Sequence, residues 1–161
     1  MKMQIPGKLS AAQKTQYRKL FATLRKRKSG NYDDLISEVH DEVFSGINCL
    51  DCANCCKTHS PIILQKDMER ISKHLHFKQN EFVSKYLLLD EEGDWVFYTI
   101  PCPFLLPDNK CSIYDVRPKA CSEYPHTNRK KIYQIAELTL VNAEICPAVV
   151  PILNSISKQI P

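Results

Sequence analysis

Eight cysteines carry most of the chemistry available to this chain, and four of them fall in one stretch, Ile47-Asn-Cys-Leu-Asp-Cys-Ala-Asn-Cys-Cys56. Cys49, Cys52, Cys55 and Cys56 form that run, while Cys102, Cys111, Cys121 and Cys146 are spread over the C-terminal half. Two residues between thiols let a tight turn aim both sulfurs at one centre, which is why C-x-x-C recurs in zinc and iron–sulfur sites. Here the spacing occurs twice in succession and a fourth thiol follows with no gap. The pattern is that of a protein binding metal through cysteine, with all eight thiols as candidate ligands.

The competing reading is a disulfide scaffold. A chain of 161 residues buries roughly two-thirds of its unfolded surface and needs no such staple. The start, Met1 to Lys8, has no apolar core and no small-residue cleavage site, so no export signal is expected. No apolar run approaches a membrane span, and no membrane partner is expected. A cytoplasmic location follows, where thiols stay reduced. The adjacent pair Cys55 and Cys56 suits two centres, or a centre and a free thiol, lying side by side. As chain neighbours they are expected to emerge in different directions and not to serve one small tetrahedral zinc.

Thiolate suits both zinc and iron–sulfur clusters, so ligand type does not separate them. The spacing of Cys49, Cys52 and Cys55 opens the bacterial ferredoxin motif, whose fourth ligand lies far along the chain. It favours a [4Fe–4S] cluster on those three thiols and one distal Cys, with a redox or group-transfer role. Eight cysteines also equal two four-cysteine zinc sites, and two zinc ions on eight thiolates would bring the formal net charge of +4 to about neutral. The cofactor expected is therefore an iron–sulfur cluster or zinc, the zinc reading making the chain a structural binding module.

Other groups carry less. His59 and His126 lie near cysteines, but eight thiols already suffice. Arg117 could hydrogen-bond a cluster sulfur and tune the site, or pair with Asp115, or cap backbone; Tyr114 is expected in the core. The four glycines, at 7, 30, 46 and 93, cannot spell the G-x-G-x-x-G nucleotide loop. No Ser-His-Asp set, paired-carboxylate site or P-loop is present, and no residue is assigned as catalytic.

The elements that must position the thiols read as mainly α, with irregular cysteine-rich loops and a short strand or hairpin: a small α+β, metal-stabilised single domain. Ser10 to Gln13 has the form of a capping box, and Tyr17, Leu20, Phe21 and Leu24 make one apolar stripe behind it. A second helix is expected from Asp33 or Asp34 to Phe44, with His40 solvated on its polar side. The two are expected to form an αα-hairpin over residues 1–46, basic in its first helix, with a cysteine-cluster domain over 47–161. Further helices are expected over Asp67 to Leu75, Asn80 to Leu88 and Val149 to Ile160, and a strand over Trp95 to Ile100. Pro118 can open a short helix that brings Cys121 round, and residues 130–145 read as helix with strand possible.

Residues 1–28 hold nine Lys or Arg and no Asp or Glu, while the remaining 133 residues sum to −5. Arg25, Lys26, Arg27 and Lys28 close the first helix, where cations suit the dipole. They can be a nucleic-acid or acidic-protein contact or a solvated face. The absence of an interleaved aromatic favours the latter.

Residues 47–150 resemble the CxxCxxCC cysteine-cluster family, also called the YkgJ family, of zinc- or iron-chelating domains. The leading cluster matches, Cys102-Pro-Phe-Leu105 is similar to the family's next Cys, and Cys111-Ser-Ile-Tyr-Asp-Val-Arg-Pro-Lys-Ala-Cys121 is similar to its C-x-I-Y-x-x-R-P-x-x-C segment. Tyr124-Pro125 stands where an aromatic–Pro pair is expected, and Cys146 would be the eighth thiol. Ala53 replaces the usual Gly, so the turn is expected to avoid the left-handed conformation. Ser122 replaces the usual Arg. Resemblance to the flagellin lysine methylase implies, as a further alternative, S-adenosylmethionine-dependent methylation of a protein lysine.

Overall fold

The computed structural model describes residues 5–27 and 32–160; Lys28, the last of the four cations expected to close the first helix, lies outside them. The fold is mainly helical with a small two-stranded antiparallel hairpin, the small α+β class expected. It divides into two compact units, residues 1–49 with 125–161, and residues 50–124.

In the first unit, α1 (Ala11–Lys26) starts on the expected capping box. Ser10 Oγ accepts from the Gln13 amide at 3.2 Å, and Gln13 Oε1 accepts from the Ser10 amide at 2.9 Å. Its stripe of Tyr17, Leu20, Phe21 and Leu24 is buried, each side chain contributing about 1.5–3 kcal/mol by leaving water. α2 (Asp33–Ser45) buries Ile36 and Val39 behind Asp33 and Asp34, which face the positive end of the helix dipole. α1 and α2 each pack on α9 (Val149–Gln159). The reason lies in α9, whose Val149, Ile152, Leu153 and Ile156 are all buried and give both helices a continuous apolar face. Tyr17 adds a hydrogen bond from its hydroxyl to Asn154 Oδ1 at 2.9 Å. Residues 130–145 resolve to a 3₁₀ turn, Ile132–Ile135, followed by α8 (Ala136–Ala143). His40 is half-buried rather than solvated: its Nδ1 lies 2.7 Å from Thr127 Oγ1, and its ring is 4.4 Å from that of Phe44.

The second unit opens with the short helices α3 (Cys49–Cys52, whose first residue belongs to the first unit) and α4 (Asn54–Thr58). α5 (Gln65–His74) and α6 (Gln79–Tyr86) follow and pack on each other. The helix expected to reach Leu88 stops at Tyr86, because Leu87–Leu89 is a strand, β1, pairing antiparallel with β2 (Trp95–Phe97). The turn between them is held by Asp90 Oδ1, which accepts the amides of Glu92 and Asp94 at 3.0 and 2.9 Å. That pairing overrides the helical preference of three leucines. β2 is shorter than the expected 95–100, and only its Phe97 is fully buried. A core of Ile63, Met68, Ile71, Phe82, Leu87, Phe97, Phe104 and Ile113 backs the cysteine loops, and Cys102 and Cys111 pack against it. The α7 helix (Lys119–Glu123) begins directly after Pro118, as expected.

Candidate metal centre

α3 and α4 are joined by Ala53, which sits in the left-handed region at φ +48° and ψ +22°. The expectation that a non-glycine here avoids that conformation is overturned. The turn needs it to pass from one short helix to the next, and Ala53 adopts it at a cost of about 1–2 kcal/mol. α4 then presents Cys55 and Cys56 together, with their Sγ atoms 3.9 Å apart. The two neighbours converge instead of diverging.

The other thiols of this unit arrive on loops tied by backbone hydrogen bonds. The Cys102 amide donates to the Cys56 carbonyl at 2.8 Å, fixing the second segment to the first. From Cys102 the chain turns through Asp108 and Asn109 and returns, with Leu105 bridged to Cys111 and the Ser112 amide donating to Phe104 O at 2.9 Å. Cys121 lies in the first turn of α7, its amide donating to Pro118 O at 2.9 Å.

Electrostatics link these sulfurs. The hydrogen bond with Cys55 draws the Cys56 thiol down to about 7, and the same bond, with burial, pushes Cys55 up. Burial raises Cys102 to about 11, with Cys56 and Cys111 adding to the effect. Burial raises Cys121 to about 12, reinforced by Cys56, Cys102 and Cys111. Cys111 is raised by burial and by Cys56. Five thiols from three chain segments thus share one field, and Cys56 is felt by the other four.

Cys52 is half-buried in the same unit, its carbonyl accepting from Lys57 Nζ at 3.1 Å. Cys49 is exposed, and Cys146 is half-buried against the core of the first unit. Among the described residues, no three His, Cys, Asp or Glu side chains are grouped so as to hold a metal ion. The donor set nevertheless fits a thiophilic metal. Soft sulfurs that resist ionising together are those a cation or cluster would relieve, since the thiolate is the ligand form.

The segment carrying Cys121 is clamped by two residues that sequence reasoning passed over. Asp67 is buried, at 1% exposure. Its Oδ1 accepts from Arg70 Nη2 at 2.6 Å and from the Lys119 amide at 3.1 Å, and its Oδ2 accepts from the Leu64 amide at 3.0 Å. Arg70 donates in addition to the carbonyls of Arg117, at 2.8 Å, and Val116, at 3.4 Å. An Asp three residues before an Arg at a helix start was the visible signal, but it also describes an ordinary helix N-terminus.

Arg117 makes no ion pair with Asp115 among the described residues. It donates to Tyr114 O at 2.7 Å, with its guanidinium 4.0 Å from the Tyr114 ring centre. Its charge lowers the thiols of Cys111 and Cys121 against the rise caused by burial. Tyr114 is 54% exposed, not core, because it serves as the platform under that guanidinium. His59 is exposed and bonded to Thr58 Oγ1 at 2.8 Å, while His126 lies in the other unit. Ser122, where the resemblance expects Arg, donates its hydroxyl to Lys119 O at 2.8 Å.

No helix among the described residues is long and apolar enough to cross a membrane. No solved structure matches the chain. The model of the family CxxCxxCC, "Putative zinc- or iron-chelating domain", matches residues 48–147. That span takes in every segment of the thiol group and ends one residue beyond Cys146. With that match and a thiol group of this composition, the chain belongs to the CxxCxxCC family of zinc- or iron-chelating domains.

Proposed function

We propose that the protein is an iron–sulfur protein in which Cys56, Cys102, Cys111 and Cys121 hold a [4Fe–4S] cluster. The observation that carries this reading is the backbone tie between the thiol segments: the Cys56 carbonyl anchors the Cys102 amide at 2.8 Å, and Leu105 bridges the Cys102 loop to Cys111. Four thiolates are the ligand complement of such a cluster. Cys55 stands beside the set, and Cys49 and Cys52 precede it with the spacing of ferredoxin-type runs. When bound, the cluster supplies one-electron chemistry or a site for group transfer. The chain's part is to present four thiolates, to keep them half-buried, and to offset their charge with Arg117. Methyl transfer from S-adenosylmethionine rests on resemblance alone.

A second reading, structural zinc, is favoured by one distance. The 3.9 Å between the sulfurs of Cys55 and Cys56 is close to the roughly 3.8 Å edge of a tetrahedron with Zn–S of about 2.3 Å. Metal content and a visible spectrum on protein purified without oxygen decide between them. Iron with acid-labile sulfide and a broad visible absorption supports the cluster. A colourless protein carrying stoichiometric zinc overturns it in favour of zinc.

A further inference from the structure

α1 carries cations along its whole length, but the structure treats its two halves differently. Near the start, Lys14 pairs with Glu144 at 3.0 Å, and Arg18 is held in a two-pronged bond to Glu137 at 3.0 and 2.9 Å. At the other end, Arg25, Lys26 and Arg27 are exposed and enter no ion pair among the described residues. The fold brings a second basic triplet to the same place. Arg129, Lys130 and Lys131, also exposed and without a carboxylate ion-pair partner among the described residues, lead into the 3₁₀ turn that packs on α1.

Three contacts bring the two triplets against shared neighbours. The Arg25 guanidinium lies 5.9 Å from the ring centre of Tyr133, Arg27 Nη1 donates to the Tyr32 hydroxyl at 3.2 Å, and the Lys131 amide donates to Asp33 Oδ1 at 3.0 Å. One oxygen of Asp33 is engaged by that amide. Six exposed cations therefore flank a surface that includes the half-buried rings of Tyr32 and Tyr133. The sequence lacks an aromatic within Arg25 to Lys28; the tertiary structure supplies two from elsewhere.

We infer that the C-terminal end of α1 and the Arg129–Lys131 turn form one binding surface for single-stranded nucleic acid. Lys and Arg neutralise successive phosphates, and aromatic rings at the same surface offer stacking faces that any base can use. An acidic peptide would satisfy the charges but not the rings. A folded protein partner would want an apolar anchor at the centre, and this patch presents cations there. The inference stands apart from the metal reading, because all of its residues lie in the first unit.

The test is fluorescence anisotropy of a labelled single strand of about a dozen bases with the purified, metal-loaded full chain, between roughly 50 and 200 mM salt. Six phosphate contacts predict a slope of log affinity against log salt near −4, at about −0.7 per contact. The variant Arg129→Gln, Lys130→Gln, Lys131→Asn should halve that slope and weaken binding at low salt at least about tenfold. Asn is chosen because Lys131 has φ +54°, a conformation Asn tolerates; an unchanged circular dichroism spectrum confirms folding. Replacing the paired Lys14 by Gln should leave affinity within about twofold, as an exposed, already satisfied charge. A base-free strand of the same phosphate count should bind several-fold more weakly, and Tyr133→Leu should erase that difference. A slope unmoved by the triple variant, or equal binding of the base-free strand or of a glutamate peptide of matched charge, overturns the inference.

Discussion

The buried carboxylate of Asp67 accepts the amide hydrogen of Lys119 at 3.1 Å, two residues before Cys121. One side chain thus ties the start of α5 to the start of α7, and Arg70 grips the preceding carbonyls of Val116 and Arg117. Groups that hold a ligand's backbone without touching the metal commonly contribute 10–100-fold in metal affinity. Asp67→Asn places an amide where three donors converge, leaving buried hydrogen-bonding groups unsatisfied at a cost of about 1–3 kcal/mol. We expect it to release metal to a competing chelator about 10–100-fold faster, with Cys121 becoming the first of the four proposed ligands to be alkylated. Ile71→Val, a core change in the same helix, should lower stability without selecting Cys121. Equal alkylation patterns in the two variants would remove the positioning role.

Cys56 contacts Cys55 at 3.9 Å and adds to the rise that burial causes in the Cys102, Cys111 and Cys121 thiols. Cys56→Ser, Cys102→Ser, Cys111→Ser and Cys121→Ser should each remove the same metal equivalent. Cys55→Ser should retain that metal. Metal analysis of the five variants checks the assignment, and an identical loss from Cys55→Ser would move Cys55 into the ligand set.

Ala53 holds the left-handed bend between α3 and α4. Ala53→Gly removes the strain of about 1–2 kcal/mol but adds about 0.4–1 kcal/mol of unfolded-state entropy. Thermal stability should therefore rise slightly or stay level. Ala53→Val puts a β-branched residue in a conformation it strongly disfavours, and it should lower both the melting temperature and metal retention. A valine variant as stable as wild type would refute the bend.

Burial beside Thr127 lowers the basicity of His40, only partly countered by Asp41. Its folded-state pKa lies below the unfolded value, so the neutral ring is the favoured form in the fold. The contribution to stability is complete above the unfolded pKa of about 6.5 and is lost as pH falls through the lower, folded value. Urea midpoints should drop between about pH 7.5 and 5, and His40→Gln should flatten that part of the profile. A profile unchanged by the variant would exclude His40 as its source.

Metal removal should act unevenly. The thiol loops of the second unit rest on a modest core, whereas the first unit has α1, α2, α8 and α9 around a larger one. Because metal binding and folding are coupled, chelation should raise amide exchange in residues 101–123 before it does so in α9. Uniform loss of protection across both units would contradict this.

Local patterns were legible wherever the chain's own periodicity set the outcome. The capping box at Ser10, the stripe from Tyr17 to Leu24, the apolar face of α9 and the proline start of α7 depend on neighbours within a few residues. The donor chemistry was legible for the same reason: cysteine type and spacing alone point to a thiophilic metal, and the family match agrees. The strand at Leu87 was not, because three leucines suit a helix until Trp95 to Phe97 offers them a partner.

What the sequence determined by itself is therefore the class of ligand, the mainly helical fold and the positions of most helices. The tertiary structure decided that the Cys102 amide is tied to the Cys56 carbonyl, that Asp67 is buried under Lys119, and that the turn after Lys131 packs on α1. These are contacts between segments tens of residues apart. Their geometry depends on how helices and loops pack, and no local spacing encodes a distance between them.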